Sequence, residues 1–277
     1  MADKQDLVLG AVGGLGWTDI EVWAHSLSLS GFTGIKAMIV YDDGKLVADN
    51  LRAMGFQVIE MPLRGSVWNQ RFYDIYQVIR GAGDNLRYCV VTDVRDVYFQ
   101  ADPMAWLEAK LTKAFVAASE GILYRDEKWN RDNLILSFPD LAARLQDRCV
   151  YNVGVLAGEA RAVADIALAV GLIARSSGAN IADQSAYNLL LDMEPYRSAC
   201  QFGLSEDGLV CQAGTFVSPY TEALRPYLLE PLPLFDGELI TTAAGIPYAM
   251  VHQYDRVQPW HNAVRARLNR LIAERGA

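Results

Sequence analysis

The sequence predicts an α/β fold, a single domain with a central, mainly parallel mixed sheet flanked by helices. Three observations carry this. Apolar runs of strand length alternate with helical stretches from Leu7 onward, the pattern of βαβ units. The apolar run Tyr88–Val91 breaks abruptly into Thr92-Asp93-Val94-Arg95-Asp96, and open α/β sheets hold ligands at such strand ends. The chain has 277 residues, 52% hydrophobic and 21% charged, which suits a substantial core.

Taken in order, Leu7–Val12 reads as a buried strand, followed by Gly13, Gly14 and Gly16. Thr18 and Glu21 have capping-box spacing. Ile20, Trp23, Ala24 and Leu27 then fall at helical spacing up to Gly31, and His25 lies off that stripe. A strand over 35–41 ends in the turn Asp42-Asp43-Gly44. A helix over 46–54 closes at Gly55, and a strand follows over 56–60. Ser66 is placed to cap a helix whose stripe is Trp68, Phe72, Ile75, Tyr76 and Ile79. Arg71 and Asp74 lie beside that stripe, where solvated charges are the ordinary outcome. The fourth strand, 88–92, leads into the acidic turn.

Pro103 opens a helix to about Leu111, and 114–119 is another strand, ending in the polar rim Ser119-Glu120-Gly121. The polar and aromatic stretch 124–133 reads as an exposed loop, with a helix from Phe138 to about Asp147. Asn152 interrupts the apolar strand 151–156 and must find partners, from the backbone or from a polar ligand. A long helix spans 158–174. Asp183-Gln184 opens the next, where an Asp favours the helix amino end. From Pro195, Pro and Gly turns separate short apolar pieces. One of these, 248–251, precedes His252. A last helix over 263–275 sets Val264, Leu268, Leu271 and Ile272 on one face and carries Arg265, Arg267, Arg270 and Arg275.

Two carboxylates and a guanidinium at the end of a buried strand are costly unless paired, hydrated or metal-bound. In an extended chain Asp93 and Arg95 share a face and Asp96 lies on the other. Both carboxylates reach one cation only if the backbone turns near Val94–Arg95. One reading is a divalent-metal site for a phosphate substrate; the other is an Asp–Arg–Asp ion-pair cluster. A net charge of −8 argues against a protein that reads nucleic-acid phosphates. The amino terminus resembles neither a secretory signal nor a membrane span. Four cysteines without CxxC spacing suggest cytosolic free thiols, not a zinc site.

Four elements then recur in a fixed order: TDVRD, YNVGVL, ADQSAYN and VHQYDRVQPW. The order resembles glycosyltransferases of the GT-A fold, especially family 8-like enzymes, over roughly Leu7 to Trp260. It is also similar to a group of mostly uncharacterised bacterial GT-A proteins with a TDxRDVxFQ stretch. The resemblance implies one GT-A-like domain over 1–277, with a nucleotide-binding half, 1–120, and an acceptor-side half with the last helix, 121–277. It implies metal ligands at Asp93, Asp96 and His252, and catalytic roles for Asp183 and Gln184. Asn152, Gly154, Arg71, Arg95 and Trp260 become substrate-binding candidates. Two residues separate Asp93 from Asp96, where the family pattern has one, so the division of labour between them stays open.

The implied activity is metal-dependent transfer of a sugar from a nucleotide-diphosphate sugar to an acceptor hydroxyl, leaning to retention. The acceptor would be a glycan, a lipid-linked molecule or a small molecule. Oxygen ligands suit Mg²⁺ or Mn²⁺, and an imidazole favours Mn²⁺. The implied location is cytoplasmic, with peripheral membrane contact through the basic last helix as an added expectation. Two alternatives stand beside this reading: a noncatalytic nucleotide-sugar-binding protein, and a nucleotidyltransferase on a related sheet. The second normally needs a basic Gly-rich loop after the first strand, and AVGGLGWTDI has no basic residue.

Overall fold

The computed structural model describes residues 4–42, 44–217 and 219–276. The amino-terminal part runs β1 (Gln5–Val12), α1 (Trp17–Leu29), β2 (Ile35–Tyr41), α2 (Lys45–Ala53), β3 (Gln57–Met61), α3 (Val67–Gly81) and β4 (Leu86–Thr92). The middle holds β5 (Val97–Phe99), α4 (Pro103–Lys110), β6 (Phe115–Leu123), α5 (Lys128–Ser137), α6 (Ala142–Leu145), β7 (Cys149–Glu159), α7 (Ala160–Ser176) and α8 (Asp183–Leu191). The remainder holds α9 (Tyr196–Ala199), β8 (Cys200–Gly203), β9 (Val210–Gln212), α10 (Ala213–Phe216), β10 (Leu234–Phe235), β11 (Ile240–Thr241), β12 (Met250–His252) and α11 (Gln258–Gly276).

The central sheet has seven strands in the order β3-β2-β1-β4-β7-β6-β8. β3, β2, β1 and β4 are parallel, β7 is antiparallel to β4 and β6, and β8 is parallel to β6. This is the mixed, mainly parallel sheet that the alternation predicts, and all six expected strands are present. Side chains alternate across it. Leu7, Leu9 and Ala11 of β1 join the core under α3, α7 and α8, while Val8 and Val12 join the core under α1, α2 and α4. Helices α3 and α7 approach closely at Gly171, where a Cβ would lie 2.9 Å from the Tyr73 backbone nitrogen. A second, three-stranded sheet, β5-β12-β9, sits beyond the end of β4.

Several local expectations are corrected. Helix α1 starts from Gly16, whose N–H donates to Asp19 Oδ2 at 2.7 Å, so Thr18 and Glu21 do not form its cap. The stretch read as an exposed loop, 124–133, is a turn and the start of α5. Glu127 caps that helix, its carboxylate accepting the N–H groups of Trp129 and Asn130 at 3.1 and 2.6 Å. Asn130, Leu134 and Ser137 then face inward, a helical stripe too polar to recognise as one. The helix expected from Phe138 is a 3₁₀ turn followed by the short α6. Gly158 lies within β7, which runs on to Glu159, and does not open α7. Asp43 lies outside the described residues.

Helix α11 begins earlier than expected, with Pro259 and Trp260 in its first turn, where proline is tolerated. Val264 and Leu268 are buried, whereas Ile272 is exposed. Its arginines turn back to their own chain: Arg265 pairs with Glu21 at 2.8 Å, Arg267 with the Tyr98 hydroxyl and Arg270 with Glu238. The helix therefore carries less free basic charge than its sequence suggests. The Arg275 side chain lies outside the described residues. Among the described residues no helix is long and apolar enough to cross a membrane.

Candidate functional site

The carboxyl ends of β1 and β4 and the amino-terminal half of the antiparallel β7 open into a cleft of about 900 Å³. On its floor the chain bends after Thr92 and re-enters as β5. The Asp93 N–H donates to the Gly154 carbonyl at 2.8 Å. Past the bend, His252 of β12 is in register with Val97 of β5 and with Gln212 of β9. The Gln253 N–H closes the arrangement on the Asp96 carbonyl at 2.7 Å. Backbone pairing thus joins residues remote in sequence, and one ligand atom each from Asp93, Asp96 and His252 lies within 4.8 Å of the others. The turn that the sequence requires for both carboxylates to meet one cation is present.

His252 is 2% exposed. Its Nδ1 lies 2.9 Å from Gln212 Oε1, so Nδ1 carries a hydrogen and Nε2 is the nitrogen left to face the carboxylates, with a lone pair for a cation that displaces its proton. That Nε2 is buried without a hydrogen-bond partner, 3.5 Å from Asp93 Oδ2 and 3.4 Å from Asp96 Oδ1. With no cation between these groups, burial pulls the imidazole down, but Asp96 and Asp93 more than offset it and lift it to about 9. Burial pushes the Asp93 carboxyl up, while Arg71 and His252 outweigh it and hold Asp93 well below the usual carboxylate range. Gly154 leaves room for the cluster: a Cβ there would lie 2.5 Å from His252 Cε1 and 2.8 Å from Asp93 Oδ2. Two carboxylates, one orphaned imidazole nitrogen and a space that only glycine leaves open fit a divalent cation with oxygen and nitrogen ligands.

Arg71 is not a solvated charge. It is held between two acids with its side chain 11% exposed, pairing with Asp93 and, at 3.1 Å, with Asp183 Oδ2. Asp74 is buried too, accepting from the Tyr41 hydroxyl at 2.7 Å and Gln70 Nε2 at 2.9 Å. Asp183 is the first residue of α8, one past its N-cap Ala182, so its carboxylate sits at the helix amino end without capping it, and it lines the cleft. Burial pushes its carboxyl up, with Arg71 opposing.

The amides of Asn152 and Gln184 are taken up by the protein. Asn152 Nδ2 donates to Glu120 at 2.7 Å, and its Oδ1 accepts from the Gly154 N–H at 2.7 Å. Gln184 Oε1 accepts from the Val153 N–H at 3.3 Å, while its Nε2 donates to Glu120 and Asn130. Both amides shape the cleft through these bonds.

Glu120 is the hub that sequence reasoning reduced to a rim. Its carboxylate accepts from Asn152, Gln184, Asn130 and Thr215. A carboxylate inside the apolar strand FVAASEG was the available signal, because such a group needs several donors. Gln212 and Asn130 had no comparable signal. Arg95 lines the cleft, half exposed and 4.0 Å from Asp255. Trp260 does not reach the cleft wall; it is buried against Phe235, with ring centroids 5.6 Å apart.

No family model matches the chain, and no curated protein does. Solved structures do match. The glycosyltransferase GlyE of Streptococcus pneumoniae TIGR4 aligns with a TM-score of 0.56 at 16% identity, covering 98% of this chain and 64% of GlyE. The fold is shared with a glycosyltransferase. The apo form of GlyE gives a TM-score of 0.53 at 17% identity, with coverage of 98% and 64%. Mouse xyloside xylosyltransferase 1, also apo, gives 0.49 at 11% identity over 91% of this chain and 97% of that one. This chain thus spans under two thirds of GlyE, and at these identities the likeness is one of fold.

Proposed function

We propose that the chain is a divalent-metal-dependent glycosyltransferase, family 8-like. It moves a sugar from a nucleotide-diphosphate sugar to an acceptor hydroxyl with retention of configuration. The observation that carries this reading is the buried, unpartnered His252 Nε2 facing Asp93 and Asp96 on the floor of a strand-end cleft, in a fold shared with GlyE. Asp93, Asp96 and His252 would hold Mn²⁺ or Mg²⁺, which supplies positive charge to the leaving diphosphate. Gln212 fixes the imidazole tautomer. Arg71 holds Asp93 toward the cluster and Asp183 toward the cleft, so one guanidinium sets the spacing between metal site and reacting centre. Asp183 keeps acceptor capacity for a sugar hydroxyl. Glu120 holds Asn152, Asn130 and Gln184 in place, which preorganises the wall behind the sugar.

In this reading residues 1–120 supply most of the nucleotide side, and His252 completes it from the second half. The cytoplasm, where nucleotide sugars are made, fits four unpaired cysteines. A panel of nucleotide sugars, with and without Mn²⁺, tests the proposal by thermal stabilisation and donor hydrolysis. A member of the panel should raise the melting temperature and be consumed only with metal. No stabilisation and no turnover by any member, with any divalent cation, would reject it.

A further inference from the structure

The walls of the cleft differ in charge and in shape. Beside the metal cluster stand Arg71, paired with Asp93, and Arg95, between Asp93 and Asp96 in the chain; Arg256, whose guanidinium lies by Gly214, also lines the cleft. On the side formed by the start of α5, the lining residues are Glu127, Trp129 and Asn130, backed by Glu120. Trp129 leaves 54% of its surface exposed. Its indole makes no ring pair or cation–π contact among the described residues. It is nevertheless firmly mounted. Glu127 accepts the Trp129 N–H at 3.1 Å, and the next residue, Asn130, is bonded to both Glu120 and Gln184. An exposed indole fixed at a cleft wall presents a flat apolar face. The Glu127 carboxylate beside it accepts one amide on each oxygen and keeps lone pairs for hydroxyl donors.

We infer that Trp129 is the platform for the acceptor, and that the acceptor is a neutral pyranose ring. This rests on the glycosyltransferase reading above. A diphosphate is drawn to the guanidinium and metal side, and the carboxylates around Trp129 repel anions. A pyranose has the complementary chemistry: a C–H face that stacks on an aromatic ring and hydroxyls that donate to carboxylates. The network from Asn130 through Gln184 to the start of α8 places this platform next to Asp183, where a transferred sugar would meet the acceptor. Trp68, 48% exposed, lines the cleft with Gly65 and Ser66 at the start of α3.

The test uses the full chain, Mn²⁺ and the nucleotide sugar that it consumes. The probes are p-nitrophenyl β-glucoside, β-galactoside and β-xyloside, with glucose 6-phosphate and n-octanol as contrasting acceptors. A neutral pyranoside should accelerate donor consumption. Trp129→Ala should lower kcat/KM for that pyranoside on the order of tenfold, mainly through KM, and Trp129→Phe should restore most of it. Affinity for the matching nucleoside diphosphate with Mn²⁺, read by calorimetry, should stay at the wild-type value. Three results overturn the inference: Trp129→Ala using the pyranoside as well as wild type, Trp129→Ala losing nucleoside diphosphate affinity, or wild type accepting only the phosphorylated sugar or the alcohol. Wild-type protein that consumes no donor overturns the glycosyltransferase reading itself, and is distinguished because it appears before any acceptor is added.

Discussion

Replacing Gly154 by alanine probes the metal cluster without deleting a ligand. The new Cβ would lie 2.5 Å from His252 Cε1 and 2.8 Å from Asp93 Oδ2 and Asn152 Oδ1. Ordinary carbon contacts are ~3.5–4.0 Å, so something must move by about 1 Å. The glycine backbone cannot easily yield, because its N–H is bonded to Asn152 and its carbonyl accepts from Asp93. The imidazole must move, against its bond to Gln212. Overpacking of this kind costs about 1–3 kcal/mol. If that cost falls on the cluster, Mn²⁺ affinity drops about 5- to 150-fold. Isothermal calorimetry with Mn²⁺ measures this, and circular dichroism reports whether the variant is folded. Gly34→Ala is the control: its Cβ would meet the Asp6 backbone oxygen at 2.5 Å, at the amino-terminal ends of β1 and β2 and so at the opposite end of these strands from the cleft. It should lower the melting temperature and leave Mn²⁺ affinity unchanged. Wild-type Mn²⁺ affinity in a folded Gly154→Ala protein would refute the placement of a cation against Gly154.

Other consequences follow from the same geometry. Asp96→Ala and His252→Ala should each abolish Mn²⁺-dependent binding of a nucleoside diphosphate by calorimetry, without unfolding the protein. Asp183→Asn should keep that binding and reduce transfer in a turnover assay, which separates a role at the reacting centre from one at the helix amino end. Arg71→Met leaves two acids without their shared partner and should cost about 3–5 kcal/mol in urea unfolding. Glu120→Gln sets an amide against donors from Asn152, Gln184, Asn130 and Thr215, and should cost about 1–3 kcal/mol by the same measurement.

The sheet was legible because apolar runs of strand length and βαβ alternation are local signals. Each of the six strands could be placed from its own residues and flanking turns. The Asp93–Asp96–His252 cluster was legible only in part. Asp93 and Asp96 announced themselves as carboxylates ending a buried strand. His252 entered through the order of the motifs, since nothing local distinguishes it from a hydrogen-bonded strand histidine. The partners that set the cluster's properties were hidden, because their roles depend on long-range pairing. Arg71 looked like a surface charge on an amphipathic helix until α8 brought Asp183 against it. Gln212 has meaning only through the register of β9 with β12. Helix α5 was missed because its inward face is Asn130 and Ser137 as well as Leu134, so burial there follows hydrogen bonding more than hydropathy.

The second sheet has a consequence for the order of assembly. Strands β1 to β4 have their hydrogen-bonding partners early, and translation at roughly 5–20 residues per second gives them time to pair before the rest emerges. The strand carrying His252 leaves the ribosome only after more than half of the chain has followed Asp96. Until then β5 lacks its antiparallel neighbour, and Asp93 and Asp96 lack the imidazole that completes their cluster. A nascent or truncated product lacking β12 would therefore have the first four parallel strands but only two of the three cluster residues. Competence would arrive late and all at once, when a three-residue strand slots between two others.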